Sequence, residues 1–436
     1  MENSQSSWQE KVRLKREAQA QALATVANNQ TNCLTEILFE EALARARELD
    51  EYRTKHGKVI GPLHGVPITF KDQFDIKGHD TTLGYVGRAF APATDDAVLV
   101  NMLRNLGAVV LAKTNLPQSI MWCETENPLW GLTSNPMCKE YTPGGSTGGE
   151  AALLNLRGSM IGWVMKELIR TKPWEHDARC APVPWRDEVF QEFRSKPLVI
   201  GLLTDDGVIR PHPPISRVLL SLVEKLRAAG HEIIEWNADL HAECVQVMDE
   251  FYTADGGEDI RRDMLAGGEP FIPHVEALVN RGQPISVYDY WQLNRRKIAL
   301  QQAYLEKWNK IRSPKTGKPV DVVLMPPMSH AAVPHRSCRW VGYTKIWNVL
   351  DYSALIIPAG NICSLDGSVV WNHTPRNVTD EWNAGVWAQN KEKMIELGLP
   401  IGVQIAGRKI EEEKVLAVGA VIDELLRGST HAEPKA

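Results

Sequence analysis

"PGGSTGGEAALLNLRGSMIGWVMKELIRTKPW", residues 143–174, joins a glycine-rich pattern directly to a helical pattern. Its first part places glycines on both sides of Ser146 and Thr147, which lets the backbone turn tightly and lets a ligand approach closely. Its second part has the apolar spacing of an amphipathic helix. The stretch predicts a tight turn that presents hydroxyl groups and leads into a helix. A flexible glycine–serine turn without a chemical role is the alternative that these residues leave open.

On both sides of this stretch, short apolar runs alternate with segments of helical periodicity. Strand-like runs occupy 66–70, 197–203, 231–236, 321–327, 353–360 and 399–407, and a helix, a glycine turn and a strand follow one another in 94–115. Helical patterns occupy 213–230 and 411–426. This alternation predicts an α/β fold in which helices cover a central mixed β-sheet.

The domain organisation predicted from the chain is simple. Residues 7–53 have helical spacing, so 1–54 are predicted to form a helical arm. Residues 55–427 are predicted to form a single large domain, with the charged span 240–312 as an outer helical layer. Residues 428–436 are predicted to be a flexible tail.

Composition excludes several classes of function. The 436-residue chain has a net charge of −5 and therefore no basic surface for nucleic acid. The polar start of the given sequence predicts no signal peptide, and none of its apolar runs is long enough to span a membrane, so a cytoplasmic location and no membrane partner are expected. The seven cysteines show no metal-ligand spacing, and the GK[ST] ending of a phosphate loop is absent, so no metal or cofactor is predicted. Assembly into a homo-oligomer stays open.

Two positions are candidates for chemistry. Lys71 follows the strand-like run "VPITF"; a lysine there is ordinarily a solvated charge, and it acts as a base only where burial favours the neutral amine. Ser146 also satisfies the loose G-x-S-x-G pattern of a nucleophile elbow. That elbow needs a strand directly before it, and "NPMCKEYTP" is a poor strand.

Several separated blocks together carry a resemblance to a known family. "GPLHGVPITFKDQFDIKG", "AVVLAKTNLPQS", "NPLWGLTSNP" and "TPGGSTGGEAALL" occur in the order and approximate spacing of the amidase signature family. "YTKIWNVLDYSALIIPAG" and "LPIGVQIAGRKIEEEKVLA" continue the match. The chain resembles the acetamidase-like general amidases most, from about residue 55 to about residue 425.

The resemblance implies hydrolysis of small carboxylic amides by two serines and a lysine, without a cofactor. Lys71 matches the lysine that serves as the base, and Ser146 matches the serine that relays the proton. Thr147 stands where a second serine is usual, and it would contact substrate together with Ser146. Ile120 matches a position that lines the acyl pocket. The family's nucleophilic serine lies further on, in a Gly-Thr-Asp-Ile-Gly-Gly-Ser segment whose backbone N–H groups form the oxyanion hole.

The chain departs from the family at this last segment. The match stops at Trp163, Arg170 stands in the region where the nucleophile is expected, and no Gly-Thr-Asp-Ile-Gly-Gly-Ser segment occurs anywhere. From Val164 the sequence resembles the family's sequence from well downstream. A block that includes part of the core and the nucleophile is therefore expected to be missing between residues 163 and 164. This predicts an amidase that is inactive in the present form.

Other interpretations stay open beside it. The chain could be a non-catalytic truncated amidase, or the product of a mis-spliced gene model. It could also be an active hydrolase in which Ser146 or Thr147 attacks directly. The amidase subunit of a tRNA-dependent amidotransferase shares the motifs, but nothing basic or tail-like in the chain favours it.

Overall fold

The computed structural model describes residues 8–23, 31–156 and 164–428. Its α-helices are α1 (Trp8–Leu23), α2 (Phe39–His56), α3 (Val98–Asn105), α4 (Gly148–Asn155), α5 (Val164–Arg170), α6 (Asp187–Ser195), α7 (Pro213–Ala228), α8 (His241–Tyr252), α9 (Glu258–Gly267), α10 (Pro273–Val279), α11 (Val287–Lys310), α12 (Gly342–Leu350), α13 (Val378–Leu397) and α14 (Glu412–Gly428). Its β-strands are β1 (Leu34–Ile37), β2 (Pro67–Lys71), β3 (Val109–Thr114), β4 (Glu126–Asn127), β5 (Gly131–Leu132), β6 (Val199–Leu202), β7 (Glu232–Glu235), β8 (Val322–Met325), β9 (Ala354–Asn361) and β10 (Pro400–Ala406).

These elements group into two compact units. The first contains the described residues up to Trp185 together with 255–284 and 334–336. The second contains 186–254, 285–333 and the described residues from Ser337 onward.

The first unit is built on a three-stranded sheet in the order β1-β3-β2. Strand β2 runs parallel to β3 with Lys71 opposite Thr114, and β1 pairs antiparallel with the other side of β3. Ile68 and Phe70 of β2 are buried in an apolar cluster with Val100 and Leu103 of α3. Because side chains alternate along a strand, Thr69 and Lys71 point to the opposite face of β2.

The second unit is built on a five-stranded mixed sheet in the order β7-β6-β8-β10-β9. Strand β6 is parallel to β7 and β8, and β10 is antiparallel to β8 and β9. Strand β8 is buried along its whole length: Val322 and Leu324 face one apolar cluster, and Val323 and Met325 face another. Helices on both faces of this sheet account for the continuous apolar runs of its strands.

The α/β class with mixed sheets is confirmed, and each strand-like run named above contains a strand. The prediction that residues 7–53 are helical is wrong at 34–37, which form β1. The cause is tertiary: these residues pair with β3, and pairing overrides the local apolar spacing. The tail predicted for 428–436 lies outside the described residues apart from Gly428, the last residue of α14.

Two features, membrane-spanning helices and metal-binding clusters, are absent from the described residues. None of the helices there combines the length and the apolar character needed to cross a bilayer. Within the same residues, histidine, cysteine, aspartate and glutamate side chains form no group of three or more that could hold a metal ion.

Candidate active site

Lys71 is the last residue of β2, and the strand delivers its side chain to the glycine-rich loop. The Lys71 Nζ atom lies 2.7 Å from Ser146 Oγ and 3.2 Å from Thr147 Oγ1, and it donates a hydrogen bond to each hydroxyl. The structure therefore brings Lys71 and Ser146, two of the residues singled out from the sequence, within hydrogen-bond reach of each other. Lys71 is half-buried rather than enclosed, and Thr147 is exposed, so the cluster is open to small molecules.

Burial lowers the pKa of Lys71 to about 8. Among the described residues, only the two hydroxyl groups offset the cost of burying the Lys71 ammonium. No carboxylate there forms an ion pair with it. A free lysine has a pKa near 10.4, so the site makes the neutral amine accessible at ordinary pH. The arrangement satisfies the condition under which a lysine at this position acts as a base.

The glycine-rich loop is fixed to its surroundings by Thr125. The Thr125 hydroxyl donates to the Gly144 carbonyl at 3.0 Å and accepts from the Gly148 N–H at 3.1 Å. The Gly149 N–H donates to the Asn115 carbonyl at 3.1 Å. One threonine side chain therefore spans the two ends of the turn that carries Ser146.

Close packing explains why the loop is made of glycines. A Cβ atom at Gly145 would lie 2.6 Å from the Glu124 nitrogen, and one at Gly149 would lie 2.4 Å from the Asn115 nitrogen. Gly144 has a φ of +99°, which residues with a side chain rarely adopt. This packing favours a fixed loop over the alternative of a flexible turn, because the loop backbone lies close to neighbouring backbone.

A second contact ties β2 to α4. The Thr69 hydroxyl, on the same face of β2 as Lys71, donates to Glu150 Oε2 at 2.7 Å. Glu150 lies in the first turn of α4, where the helix dipole favours a carboxylate. Thr147 precedes α4 but makes no side-chain cap, which leaves its hydroxyl to Lys71. The two contacts hold the loop and the start of α4 over the end of the strand.

Asp72 anchors the strand end from the opposite face. It is fully buried and accepts hydrogen bonds from the backbone N–H groups of Thr82 and Leu83 and from the Thr82 hydroxyl, at 2.9–3.0 Å. The ammonium group of Lys113, also fully buried, lies 3.9 Å away. Burial raises the pKa of Asp72, and these donors together with Lys113 oppose that shift.

Ile120 lies in the loop that precedes Thr125. It has a φ of +66° and follows Ser119, whose φ is +65°. The backbone just beyond it, at Trp122 and Cys123, is the surface against which Gly145 packs. The hydrogen bonds described for Ile120 are those of its backbone, with Pro117 and Trp122. Its role in an acyl pocket stays a prediction.

Thr125, Glu150 and Thr69 are the site residues that reasoning from the sequence missed. Each acts through hydrogen bonds to residues distant in the chain, and no local pattern marks such contacts. The only available signal was the period of two along β2, which places Thr69 on the face of Lys71.

Arg170, which stands in the region of the expected nucleophile, is the last residue of α5. Its guanidinium forms an ion pair with Glu167 at 2.8 Å on the surface of that short helix. Residues 157–163, between α4 and α5, lie outside the described residues. Arg170 offers neither a nucleophile nor an activated hydroxyl.

Comparison with known proteins gives a consistent result. The Amidase family model matches residues 18–164 and, separately, 163–416. The chain is 50% identical over 464 residues to "Amidase 1" of Gibberella moniliformis, with 93% of this chain and 88% of that protein covered. It is 32% identical over 466 residues to the "Acetamidase" of Emericella nidulans, with 92% and 84% covered.

Solved structures agree with the sequence matches. "Fatty acid amide hydrolase" superposes with a TM-score of 0.81 at 26% identity, over 95% of this chain and 82% of that one. The matched lengths and the Lys71–Ser146 geometry point the same way. The chain therefore belongs to the amidase family of amide hydrolases.

Proposed function

We propose that this chain is an amidase that has kept the base and the relay serine of a serine–serine–lysine site and has lost the nucleophile. In this proposal it retains affinity for small carboxylic amides but does not hydrolyse them. The observation that supports retention of the base and the relay serine is the 2.7 Å hydrogen bond between Lys71 Nζ and Ser146 Oγ.

The complete mechanism assigns one step to each group. The neutral Lys71 amine takes the proton of Ser146, Ser146 takes the proton of the nucleophilic serine, and that serine attacks the amide carbon. The C–N bond then breaks, and the leaving nitrogen receives the proton back through Ser146 and departs as ammonia or an amine. Water hydrolyses the remaining acyl-serine to the carboxylic acid and restores the nucleophile. A hydroxyl is a weak nucleophile until an adjacent base removes its proton, which is why the relay is needed. A pKa of about 8 for Lys71 leaves a useful fraction of neutral amine near neutral pH.

Three observations support loss of the nucleophile. No Gly-Thr-Asp-Ile-Gly-Gly-Ser segment occurs in the 436 residues. The family match consists of two separate segments, which meet and overlap at residues 163 and 164. The alignment with "Amidase 1" spans 464 residues, more than this chain contains, so it includes positions at which this chain has no residue.

The expected effect on catalysis is large. Removal of the nucleophile from a comparable triad lowers turnover by about a million-fold. Each oxyanion donor that is lost costs a further factor of about a hundred to a thousand. The retained groups, Lys71, Ser146, Thr147 and Ile120, would then position an amide without a group to attack it.

A serine-directed probe tests this proposal. We expect that a fluorophosphonate does not label the chain, because phosphonylation needs an activated serine beside oxyanion donors. Stable labelling mapped to Ser146 or Thr147 would contradict the proposal. It would establish the second candidate, in which Lys71 activates one of these hydroxyls directly, as its short contact with Ser146 favours. Loss of that label in Ser146→Ala or Thr147→Val would identify the residue.

The origin of the missing block has a separate test. If a gene-model error removed it, genomic DNA between the codons of Trp163 and Val164 carries an open frame for the Gly-Thr-Asp-Ile-Gly-Gly-Ser segment. If the DNA is continuous there, the loss is real in the gene. A cytoplasmic location and self-association into a homo-oligomer belong to the proposal as well, and neither alters the expected chemistry.

A further inference from the structure

We infer that Lys71 is a carbonyl-reactive lysine that captures small aldehydes as an imine, with Ser146 and Thr147 as its proton-transfer partners. This reaction is distinct from amide hydrolysis. It needs no serine nucleophile, so it is open to a chain in which that nucleophile is missing.

The hydrogen-bond partners of Lys71 carry the argument. Both are hydroxyl groups, at 2.7 Å and 3.2 Å from Nζ, and a hydroxyl can accept from an ammonium or donate to a neutral amine. An imine nitrogen has no N–H, and at Lys71 it can still form a hydrogen bond, because one of the hydroxyls can reverse its direction and donate to the lone pair. A carbonyl partner only accepts, so its hydrogen bond is lost when the amine becomes an imine.

Lys307 provides a matched reference within the same chain. It is half-buried like Lys71, and burial lowers the pKa of each amine to about 8. Its Nζ donates to the backbone carbonyls of Asn237 and Asp239 at 2.7 Å and 3.1 Å and lies 5.0 Å from the centroid of the Trp236 ring. Carbonyls only accept hydrogen bonds, and the face of an aromatic ring attracts a cation. These contacts therefore favour the ammonium form of Lys307 over an imine, whose nitrogen has no N–H to donate.

Access to Lys71 favours a small, unhindered carbonyl compound. Gly144 and Gly145, directly before Ser146, have no side chains to shield the amine, and Thr147 is exposed. The two hydroxyls lie within reach of a group bonded to Nζ. We therefore expect short unbranched aldehydes to be the carbonyl compounds that reach Lys71 most readily.

The reaction balances without an added oxidant or reductant. The Lys71 lone pair forms a C–N bond to the aldehyde carbon, and the amine proton moves through the Ser146 hydroxyl to the former carbonyl oxygen. The C–O bond of this carbinolamine then breaks while the second N–H proton leaves through the same hydroxyls. One water departs, and the C=N bond of the imine remains.

The experiment treats the full-length chain with propanal and sodium cyanoborohydride, which reduces each imine to a stable propyl-lysine. Peptide mass spectrometry then gives the rate of modification at Lys71 and at Lys307. Near pH 7.5 we expect Lys71 to react about tenfold faster than Lys307, because Lys307 must give up carbonyl hydrogen bonds. In the denatured chain the two rates are expected to be equal.

A variant isolates the role of the hydroxyls. In Ser146→Ala/Thr147→Val, the Lys71 rate is expected to fall several-fold, since proton transfer then depends on water, while the Lys307 rate stays unchanged. Equal rates at Lys71 and Lys307 in the folded wild-type chain would overturn the inference, and so would an unchanged Lys71 rate in the folded variant. The measured quantity is the amount of propyl-lysine at position 71, so the result does not depend on whether the chain hydrolyses amides.

Discussion

Neighbouring residues at the end of β2 have opposite environments. Lys71 points to the two hydroxyls of the glycine-rich loop, whereas Asp72 is fully buried and lies beside the buried Lys113. Asp72 receives hydrogen bonds from the chain around Thr82, so it fixes the position from which Lys71 extends. We therefore expect the position of Lys71 to depend on the buried pair of Asp72 and Lys113.

Substitution of Asp72 tests this dependence. We expect Asp72→Asn to lower the free energy of unfolding by about 3 kcal/mol, because it leaves the Lys113 ammonium buried without its counter-charge. Asp95→Asn is the matched control: Asp95 is exposed and accepts from Thr94, so a change within about 0.5 kcal/mol is expected. Denaturant unfolding measures both, and equal effects would contradict the role given to Asp72.

Only some residues of the site could be predicted from the sequence. The family's blocks identified Lys71 and Ser146, and a strand end followed by a glycine-rich loop is enough to expect their contact. Thr125 and Glu150 could not be identified, because each acts through a hydrogen bond that forms only when distant segments pack. Such contacts leave no period or spacing in the chain.

At the scale of elements, the glycine-rich loop and the first turn of α4 are both held against the end of β2 and the segments beside it. Glycines allow the loop backbone to lie against Asn115 and Glu124, while the Thr69–Glu150 hydrogen bond holds the first turn of α4. Strand β1 shows the limit of local patterns: its residues have helical spacing and pair with β3 instead.

A single added methyl group tests the packing of the loop. In Gly149→Ala the new Cβ would lie 2.4–2.6 Å from backbone atoms of Asn115 and Cys33, so something must shift. We expect a loss of about 1–3 kcal/mol in the free energy of unfolding and displacement of Ser146 from Lys71.

Gly385→Ala is the control for that substitution. Gly385 lies inside α13, and an added Cβ there would have no neighbour within 4 Å. Alanine is the better helix former, so a gain of about 0.5–1 kcal/mol is expected. A destabilisation of similar size in both variants would argue against close packing of the loop.

At the scale of the whole molecule, apolar side chains stand exposed on both sides of the point where the family match divides. Leu154 is 39% exposed, Leu156 is 54% exposed, and Met165 in α5 is 44% exposed. Isolated exposed apolar residues are ordinary. Three of them close to the junction of the two family matches agree with the proposed loss of a segment that would cover them. The fold class and the strands could be predicted from alternation, whereas this local exposure could not.

The most direct test of the central claim compares two chains in one assay. The first is the present chain, and the second carries, between Trp163 and Val164, the residues that "Amidase 1" has at that point. Ammonia release from acetamide is measured for each, with the Lys71→Ala form of the second chain as the control. We predict release only from the chain with the added block, and its loss in the control. Ammonia release from the present chain at a rate comparable with that of the restored chain would contradict the account.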